Sequence, residues 1–345
     1  MSLRSMLEAK TPPPDEEIDP LTRLAIKHGT DKWGLHFYTP IYHSFFRLMR
    51  RQPVRLLEIG IGGYNLQSVG GASLSMWAEY FPEGRIVGID VADKRLGLDP
   101  RIEVRRGSQD DPEFLTRVCD ELGPFDIVID DGSHVPQHVT SSFNVLFPRL
   151  RNGGFYVIED VQTTFWPQFG GSTLGGATMR LAMAILEGLH HAEIKVAQPT
   201  RHIDDVSTLI RAFHAFHNLF LIEKGDNTEP SNHGFRLDNP HAARALRLIE
   251  TEMNQRPTAA GAANMIQVQA VAGQVTQAWA MLDAALERWP DQPMLLYAGY
   301  NTALVSNDES RKREFLQALA ALEPDNAWLH DLLRQMETEA AEPVA

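Results

Sequence analysis

The stretch VRLLEIGIGG at residues 54–63 joins an apolar run to a glycine-rich turn. An apolar run of this length that ends at glycines is typical of a buried parallel strand followed by a loop. Gly60 and Gly62 allow a tight turn and let the backbone approach a ligand closely. The stretch therefore predicts an α/β fold in which the first strand ends at a ligand-binding loop.

Four further apolar runs continue this pattern along the chain. Residues 85–90 (RIVGID), 102–107 (IEVRRG), 127–129 (IVI) and 155–158 (FYVI) each predict a strand. Because buried strands that alternate with helical segments are typical of parallel sheets, we predict a Rossmann-like α/β sheet. Such sheets bind ligands beyond the carboxyl ends of their strands.

The residues that follow the strands predict a nucleoside-type cofactor. Asp90, at the end of the second strand, could accept hydrogen bonds from ribose hydroxyls, and Ser108–Asp110 could contact an adenine edge. Asn65 stands where the dinucleotide fingerprint has its third glycine, which argues against NAD. The pattern E-x-G-x-G-G instead favours S-adenosylmethionine (SAM). The predicted cofactor contacts are Glu58, Gly60, Gly62, Asp90, Ser108, Gln109, Asp110 and Asp130.

Three carboxylates follow the fourth and fifth strands. Asp131 comes after IVID, and Glu159 and Asp160 come after FYVI. Since like charges held together away from water repel one another, we predict that a cation binds between them. Oxygen ligands favour Mg²⁺, with Mn²⁺ as a substitute. The alternative is that these residues cap loops or lie on the surface.

His134 lies three residues after Asp131 and is the predicted general base. An alcohol is a poor nucleophile, so a metal ion that polarises it and a base that takes its proton would both assist the reaction. Histidine suits this task because its ordinary pKa lies near neutral pH. The alternative is a turn histidine that caps the following segment.

A set of linked motifs spans roughly residues 20–237, among them HGTDKWGLHFYTPIY (28–42), LLEIGIGGY (56–64), DDGSH (130–134) and GGFYVIEDV (153–161). Together they resemble the macrolide deoxysugar O-methyltransferases of the mycinamicin and macrocin type. The resemblance implies a class I SAM-dependent methyltransferase sheet and a Mg²⁺-dependent methyl transfer to a sugar hydroxyl. It maps the metal ligands to Asp131, Glu159 and Asp160, and the general base to His134.

Two other function classes remain open. The same scaffold could methylate a phenol or a polyketide alcohol instead of a sugar. The loop from Val161 to Gly176 contains aromatic residues and glycines, which favours a movable lid and a bulky glycoside. The alternative is that these aromatic side chains only pack a long connection against the protein. The other class is a scaffold protein with a vestigial methyltransferase site. The joint presence of Asp131, His134 and the Glu159–Asp160 pair argues against it.

Composition favours a cytoplasmic enzyme with a small-molecule substrate. The 345 residues carry a formal net charge of −13, and the pI is about 5.4, which disfavours a nucleic-acid partner. The single cysteine, Cys119, fits a reducing compartment. Neither a bilayer-spanning run nor a signal peptide is evident in the sequence, so we expect no membrane partner.

Prolines recur at helical-repeat spacing near the carboxyl terminus. Pro257, Pro290 and Pro324 follow amphipathic segments at intervals of 33 and 34 residues. This period resembles that of tetratricopeptide helix pairs. A small all-α domain of this kind would pack on the catalytic domain, form a homo-oligomer, or contact another protein.

The predicted domain organisation has three parts. Residues 1–20 are expected to be a flexible tail, residues 21–238 the methyltransferase domain, and residues 239–345 the helical-repeat domain. Runs at 219–225 and 234–237 are expected to close the sheet.

Overall fold

The computed structural model describes residues 18–229, 231 and 240–341, with the backbone alone for 240–243 and 337–341. These residues form two compact units. The first contains the described residues up to Ile194 together with Thr200–Thr228, and the second contains Lys195–Pro199 and the described residues from Glu229 onward. Most of the predicted tail and the predicted boundary at residue 238 lie outside the described residues, so this domain division stays a prediction.

The described residues of the first unit form a seven-stranded sheet. Its order is β3-β2-β1-β4-β5-β7-β6, with β7 antiparallel to both neighbours and the other pairs parallel. The predicted α/β sheet is confirmed. The strands are β1 Arg55–Ile59, β2 Arg85–Asp90, β3 Ile102–Arg106, β4 Ile127–Asp130, β5 Phe155–Ile158, β6 Ile210–Phe216 and β7 Leu219–Lys224.

Helices cover both faces of this sheet. Asp19 begins the first of them, because its carboxylate accepts hydrogen bonds from the amides of Leu21 and Thr22. Asp111 caps a later helix in the same way, through the amide of Phe114. These helices are α1 Pro20–His28, α2 Thr39–Phe46, α3 Ala72–Tyr80, α4 Pro112–Leu122, α5 Pro136–Leu146 and α6 Gly176–Leu189. A further helix, α7 His191–Ala197, has residues in both units.

Alternate side chains of the buried strands pack on opposite faces of the sheet. Leu57 and Ile59 of β1 join a core with α4 and α5, whereas Leu56 joins a second core with α1, α2 and α3. Because both faces are covered, the strands leave their carboxyl ends as the edge where polar side chains can meet a ligand.

One closing strand, β7, forms where the run at 219–225 predicted it, whereas β6 was not predicted. The sheet ends with β7 and β6, and β6 precedes β7 in the chain. Strand β6 lies at the sheet edge and is only partly buried. Its sequence, IRAFHAF, lacks the continuous apolar run that marks the central strands. The run predicted at 234–237 lies outside the described residues.

The second unit is helical in the part that the structure describes. Pro257, Pro290 and Pro324 each follow the end of a helix, as predicted, and small alanines fill the interior. Among the described residues, no helix combines the length and apolar character needed to cross a membrane. The helices are α8 Pro240–Gln255, α9 Ala259–Val271, α10 Val275–Arg288, α11 Pro293–Val305, α12 Glu309–Leu322 and α13 Ala327–Ala341.

Candidate active site

The candidate site lies at the switch point of the sheet, between the carboxyl ends of β1 and β4. These strands are neighbours, but the chain leaves β1 toward β2 on the other side. Gly60 has φ +79°, and a Cβ there would lie 2.1 Å from the carbonyl oxygen of Asp131. Only glycine therefore lets the first loop pass this close to the turn that carries the predicted metal ligand.

Three predicted site residues come together at this edge. One ligand atom from each of Asp131, His134 and Asp160 lies within 4.8 Å of the other two, and all three residues are half-buried. His134 and Asp160 have φ +57° and +52°, a conformation that non-glycine residues rarely adopt. The Thr163 hydroxyl is 3.1 Å from the carbonyl oxygen of His134 and 2.7 Å from that of Asp160, so it links these two unusual turns.

Glu159 is oriented differently from its neighbour Asp160. Its Oε1 accepts hydrogen bonds from Lys32 Nζ at 2.7 Å and from the Tyr42 hydroxyl at 2.5 Å. Lys32 also donates to Asp131 Oδ2 at 2.9 Å. Lys32 and Tyr42 were not among the predicted site residues, although both fall within the quoted 28–42 motif. The structure thus adds a buried cation and a phenol to the carboxylate cluster.

The carboxylate cluster is short of positive charge. Burial lowers the pKa of Lys32, but the charges of Asp131, Glu159 and Glu58 outweigh burial and hold it well above its ordinary value. Burial raises the pKa of Glu159, Asp131 and Glu58, against the opposing effect of Lys32. The raised pKa of Lys32 and the raised pKa values of the three carboxyl groups both mean that the cluster holds protons tightly. The cluster therefore favours additional positive charge. A hard divalent cation with oxygen ligands, such as Mg²⁺, fits this donor set.

Asp160 is held from the side of the α1–α2 connection. The Tyr38 hydroxyl donates to its Oδ1 at 2.8 Å, and His36 Nδ1 lies 3.4 Å from the same oxygen. His134 Nε2 lies 3.7 Å from its other oxygen, Oδ2. Burial, together with the Asp160 charge, raises the pKa of Tyr38, so this phenol stays a donor. The predicted base and a predicted ligand are therefore adjacent.

The glycine loop is braced by charged side chains. Asp90 accepts hydrogen bonds from the amides of Ile61 at 3.3 Å and Ala92 at 2.8 Å. The Lys94 ammonium donates to four carbonyl oxygens between Gly62 and Val69, at 2.6–3.1 Å. Gly62 has φ +73° and open space where a Cβ would stand. The loop is thus ordered, with Asp90 at its base.

Ser108 and Asp110 lie together after β3, at the same edge of the sheet. The Ser108 hydroxyl donates to the Asp110 carboxylate, and His138 Nε2 is 3.4 Å from Asp110. Both remain candidates for cofactor contact.

Two of the predicted cofactor contacts, Glu58 and Gln109, are buried against protein groups. Glu58 is fully buried, accepts a hydrogen bond from Ser73 at 2.8 Å and lies 3.1 Å from Lys32. Gln109 donates to Asp130 at 3.0 Å and accepts from the Ser133 amide at 2.6 Å. Their partners are internal, so these side chains brace the site, and their contact with a cofactor stays a prediction.

Asp130 faces the sheet core beneath α5. It accepts hydrogen bonds from Ser142 at 2.5 Å and Tyr156 at 3.2 Å, and burial raises its pKa to about 6 despite these bonds. The alternation of side chains along β4 explains this, because Asp130 lies on the same face as the core residue Val128. The same rule puts Glu58 on the face of Leu56.

The predicted lid packs beside His134. Its first part consists of two 3₁₀ turns, Val161–Phe165 and Pro167–Phe169. The ring centroid of Phe169 is 6.0 Å from that of His134 and 6.0 Å from that of Trp166. Because Trp166 remains 43% exposed, an apolar surface lies open next to the predicted base.

No protein-family model matches the chain. Individual proteins are, however, similar to the chain in sequence. The chain is 49% identical over 215 residues to the 8-demethyl-8-(2-methoxy-alpha-L-rhamnosyl)-tetracenomycin-C 3'-O-methyltransferase of Streptomyces olivaceus, covering 61% of this chain and 55% of that protein. It is 44% identical over 214 residues to the mycinamicin VI 2''-O-methyltransferase of Micromonospora griseorubida, covering 61% and 53%. The resemblance predicted from the motifs is confirmed.

A solved structure of a methyltransferase has the same fold as this chain over the matched region. The MycE methyltransferase from the mycinamycin biosynthetic pathway, in complex with Mg and SAH, superimposes with a TM-score of 0.59 at 44% identity, covering 61% of this chain and 55% of that one. The predicted class I SAM-dependent methyltransferase fold is therefore confirmed. The chain spans about half the length of the curated relatives that it matches.

Proposed function

We propose that this chain is a SAM- and Mg²⁺-dependent O-methyltransferase that acts on a sugar hydroxyl of a glycosylated natural product. The observation that carries the proposal is the convergence of Asp131, His134 and Asp160 beside the Gly60 loop. Relatives named as sugar O-methyltransferases support the reaction class, and a relative with bound Mg and SAH supports both cofactors.

The proposed roles follow from the contacts of each side chain. Asp131, Glu159 and Asp160 would hold the cation, with Glu159 offering the oxygen that Lys32 and Tyr42 do not contact. A bound Mg²⁺ supplies Lewis-acid polarisation of the acceptor hydroxyl. His134 would take the hydroxyl proton as the oxygen–carbon bond forms and the carbon–sulfur bond of SAM breaks. Asp160, beside the ring of His134, would stabilise the resulting positive charge.

The open apolar surface beside His134 favours a bulky acceptor. Phe165 and Trp166 are each more than 40% exposed, and Leu174 is 94% exposed on the same loop. Aromatic rings pack well against the CH faces of sugars. A flat phenol would need a narrower slot, so we keep phenolic or polyketide acceptors as the second candidate function.

Replacing Asp90 by Ala should weaken SAM binding by about 1.5–3 kcal/mol, the usual contribution of hydrogen bonds to a charged group. Glycoside binding should change little, because Asp90 lies at the base of the glycine loop. Calorimetry with SAM tests this, and Asp93→Ala, an exposed acid of the same connection, is the matched control. If Asp90→Ala binds SAM as tightly as the wild type, Asp90 does not contact SAM.

Partners and location are also proposals. We expect a cytoplasmic homo-oligomer, with further protein contact through the second unit, where Tyr297, Leu304 and Trp328 are exposed.

The function itself is tested by incubating the chain with methyl-labelled SAM and a matched acceptor panel. The panel pairs each macrolide or polyketide glycoside with its aglycone and adds simple phenols. Label transferred to glycosides alone supports sugar methylation. Label on aglycones or phenols favours the second candidate, and no transfer to any acceptor, despite SAM binding, would favour a scaffold with a vestigial site.

A further inference from the structure

Lys32 is fully buried at the site, and the roles proposed above give it no chemical task. Its Nζ lies 2.7 Å from Glu159, 2.9 Å from Asp131 and 3.1 Å from Glu58. Lysine is almost never fully buried without partners. The three carboxylates come from the ends of three different strands, β1, β4 and β5. Lys32 therefore joins strand ends that the sheet alone does not hold in a common geometry.

The hydrogen bonds around Glu159 restrict how its carboxylate can turn. Lys32 and Tyr42 both donate to Oε1, and both are 0% exposed. Rotation of the carboxylate would break both bonds inside the protein, where water cannot replace them. Glu58 lies on the other side of Lys32 and is itself held by Ser73. Glu58 thus holds Lys32 in place while Lys32 donates hydrogen bonds to two proposed metal ligands, Asp131 and Glu159.

Lys32 could influence metal binding in two ways that have opposite signs. As a positive charge it repels a divalent cation, so its removal would strengthen metal binding. As a donor to two ligands it keeps them in one arrangement, so its removal would weaken metal binding. Partners of metal ligands typically change affinity by about 10- to 100-fold when they are removed. The sign of the change therefore identifies the role.

We propose that Lys32 is a positioning residue that holds Asp131 and Glu159 in place for a divalent cation. This inference rests on the proposed metal-dependent function. Positioning outweighs repulsion because Glu58, 3.1 Å from the ammonium, offsets much of its charge at the distance of the metal. The two hydrogen bonds to the ligands are directional and are not offset in this way.

The test is Mn²⁺ binding to the SAM-free 345-residue chain, measured by electron paramagnetic resonance. Lys32→Met should bind Mn²⁺ about 10- to 100-fold more weakly than the wild type. Tyr42→Phe removes one hydrogen bond to Glu159 without changing charge, and it should also weaken Mn²⁺ binding. Lys27→Met removes the same charge from an exposed pair with Glu79 and should bind Mn²⁺ like the wild type.

The outcomes separate this inference from the function on which it rests. A wild-type chain that binds no Mn²⁺ would contradict the metal-dependent function and the role of Lys32 with it. If the wild type binds Mn²⁺ and Lys32→Met binds it equally or more tightly, the positioning role is wrong. If circular dichroism finds Lys32→Met unfolded, Tyr42→Phe decides, and unchanged Mn²⁺ affinity there overturns the proposal.

Discussion

Replacing Asp131 by Asn, Glu159 by Gln or Asp160 by Asn should abolish methyl transfer while SAM affinity stays near that of the wild type. Each change removes a negative oxygen from the proposed metal site, and a neutral amide is a much poorer ligand for Mg²⁺. SAM affinity should persist because the glycine loop and Asp90 belong to earlier strands. Single-turnover assays with labelled SAM, combined with calorimetry, measure both quantities.

The matched control for these variants is Glu113→Gln. Glu113 is an acid in the first turn of α4, and its side chain is 91% exposed and is paired only with Arg117 of the same helix among the ion pairs of the described residues. This variant should retain wild-type turnover. Asp160→Asn is the cleanest test, since Asp131→Asn and Glu159→Gln each also break an ion pair with Lys32. Substantial turnover in both aspartate variants would contradict the proposed ligands.

Replacing His134 by Ala should lower the rate of methyl transfer by about 10²- to 10⁴-fold, the usual contribution of a general base. The acidic limb of the pH–rate profile should also disappear, because the proposed general base is missing. Mn²⁺ affinity should change little, because Mg²⁺-type sites rely on oxygen ligands and we assign His134 to proton transfer. His217→Ala, in the exposed turn between β6 and β7, is the control.

His134 Nε2 lies 3.7 Å from Asp160 Oδ2, so His134 could act as a general base or as a metal ligand. Mn²⁺ binding distinguishes these two roles. A large loss of Mn²⁺ affinity in His134→Ala would identify a metal ligand. An unchanged pH profile with a normal rate would show that another group, or hydroxide, takes the proton.

The sequence predicted the carboxylates at the strand ends because local patterns determine their position. An apolar run predicts a buried strand, and parallel strands bring the residues after them to one edge of the sheet. Asp131 and Asp160 follow this rule directly. Their assignment as metal ligands remains a prediction, as does that of His134.

Lys32 and Tyr42 could not be found in the same way. Their contacts with Glu159 span 127 and 117 residues, and a lysine in a polar turn gives no local sign that it will be buried. Only the packing of the α1–α2 connection, which carries Lys32, and of α2, which carries Tyr42, over the strand ends brings these groups together. Tertiary packing therefore decides the electrostatics of the site.

Glu58 and Asp130 were predicted as cofactor contacts although the alternation of strand side chains argues otherwise. Glu58 shares a face with Leu56, and Asp130 shares a face with Val128, and both faces are covered by helices. A strict period of two along β1 and β4 would have assigned both carboxylates to the interior. The alternation along β1 and β4 can be read from the sequence, whereas no local pattern in the sequence indicates the burial of Lys32.

The most direct test of the account is the metal dependence of methyl transfer. A glycoside acceptor identified in the panel should receive no labelled methyl group when the chain is treated with EDTA, and addition of Mg²⁺ or Mn²⁺ in excess should restore transfer. SAM binding in EDTA should remain measurable by calorimetry, so that loss of activity cannot be attributed to loss of the cofactor. Full methyl transfer in EDTA would contradict the metal-dependent mechanism.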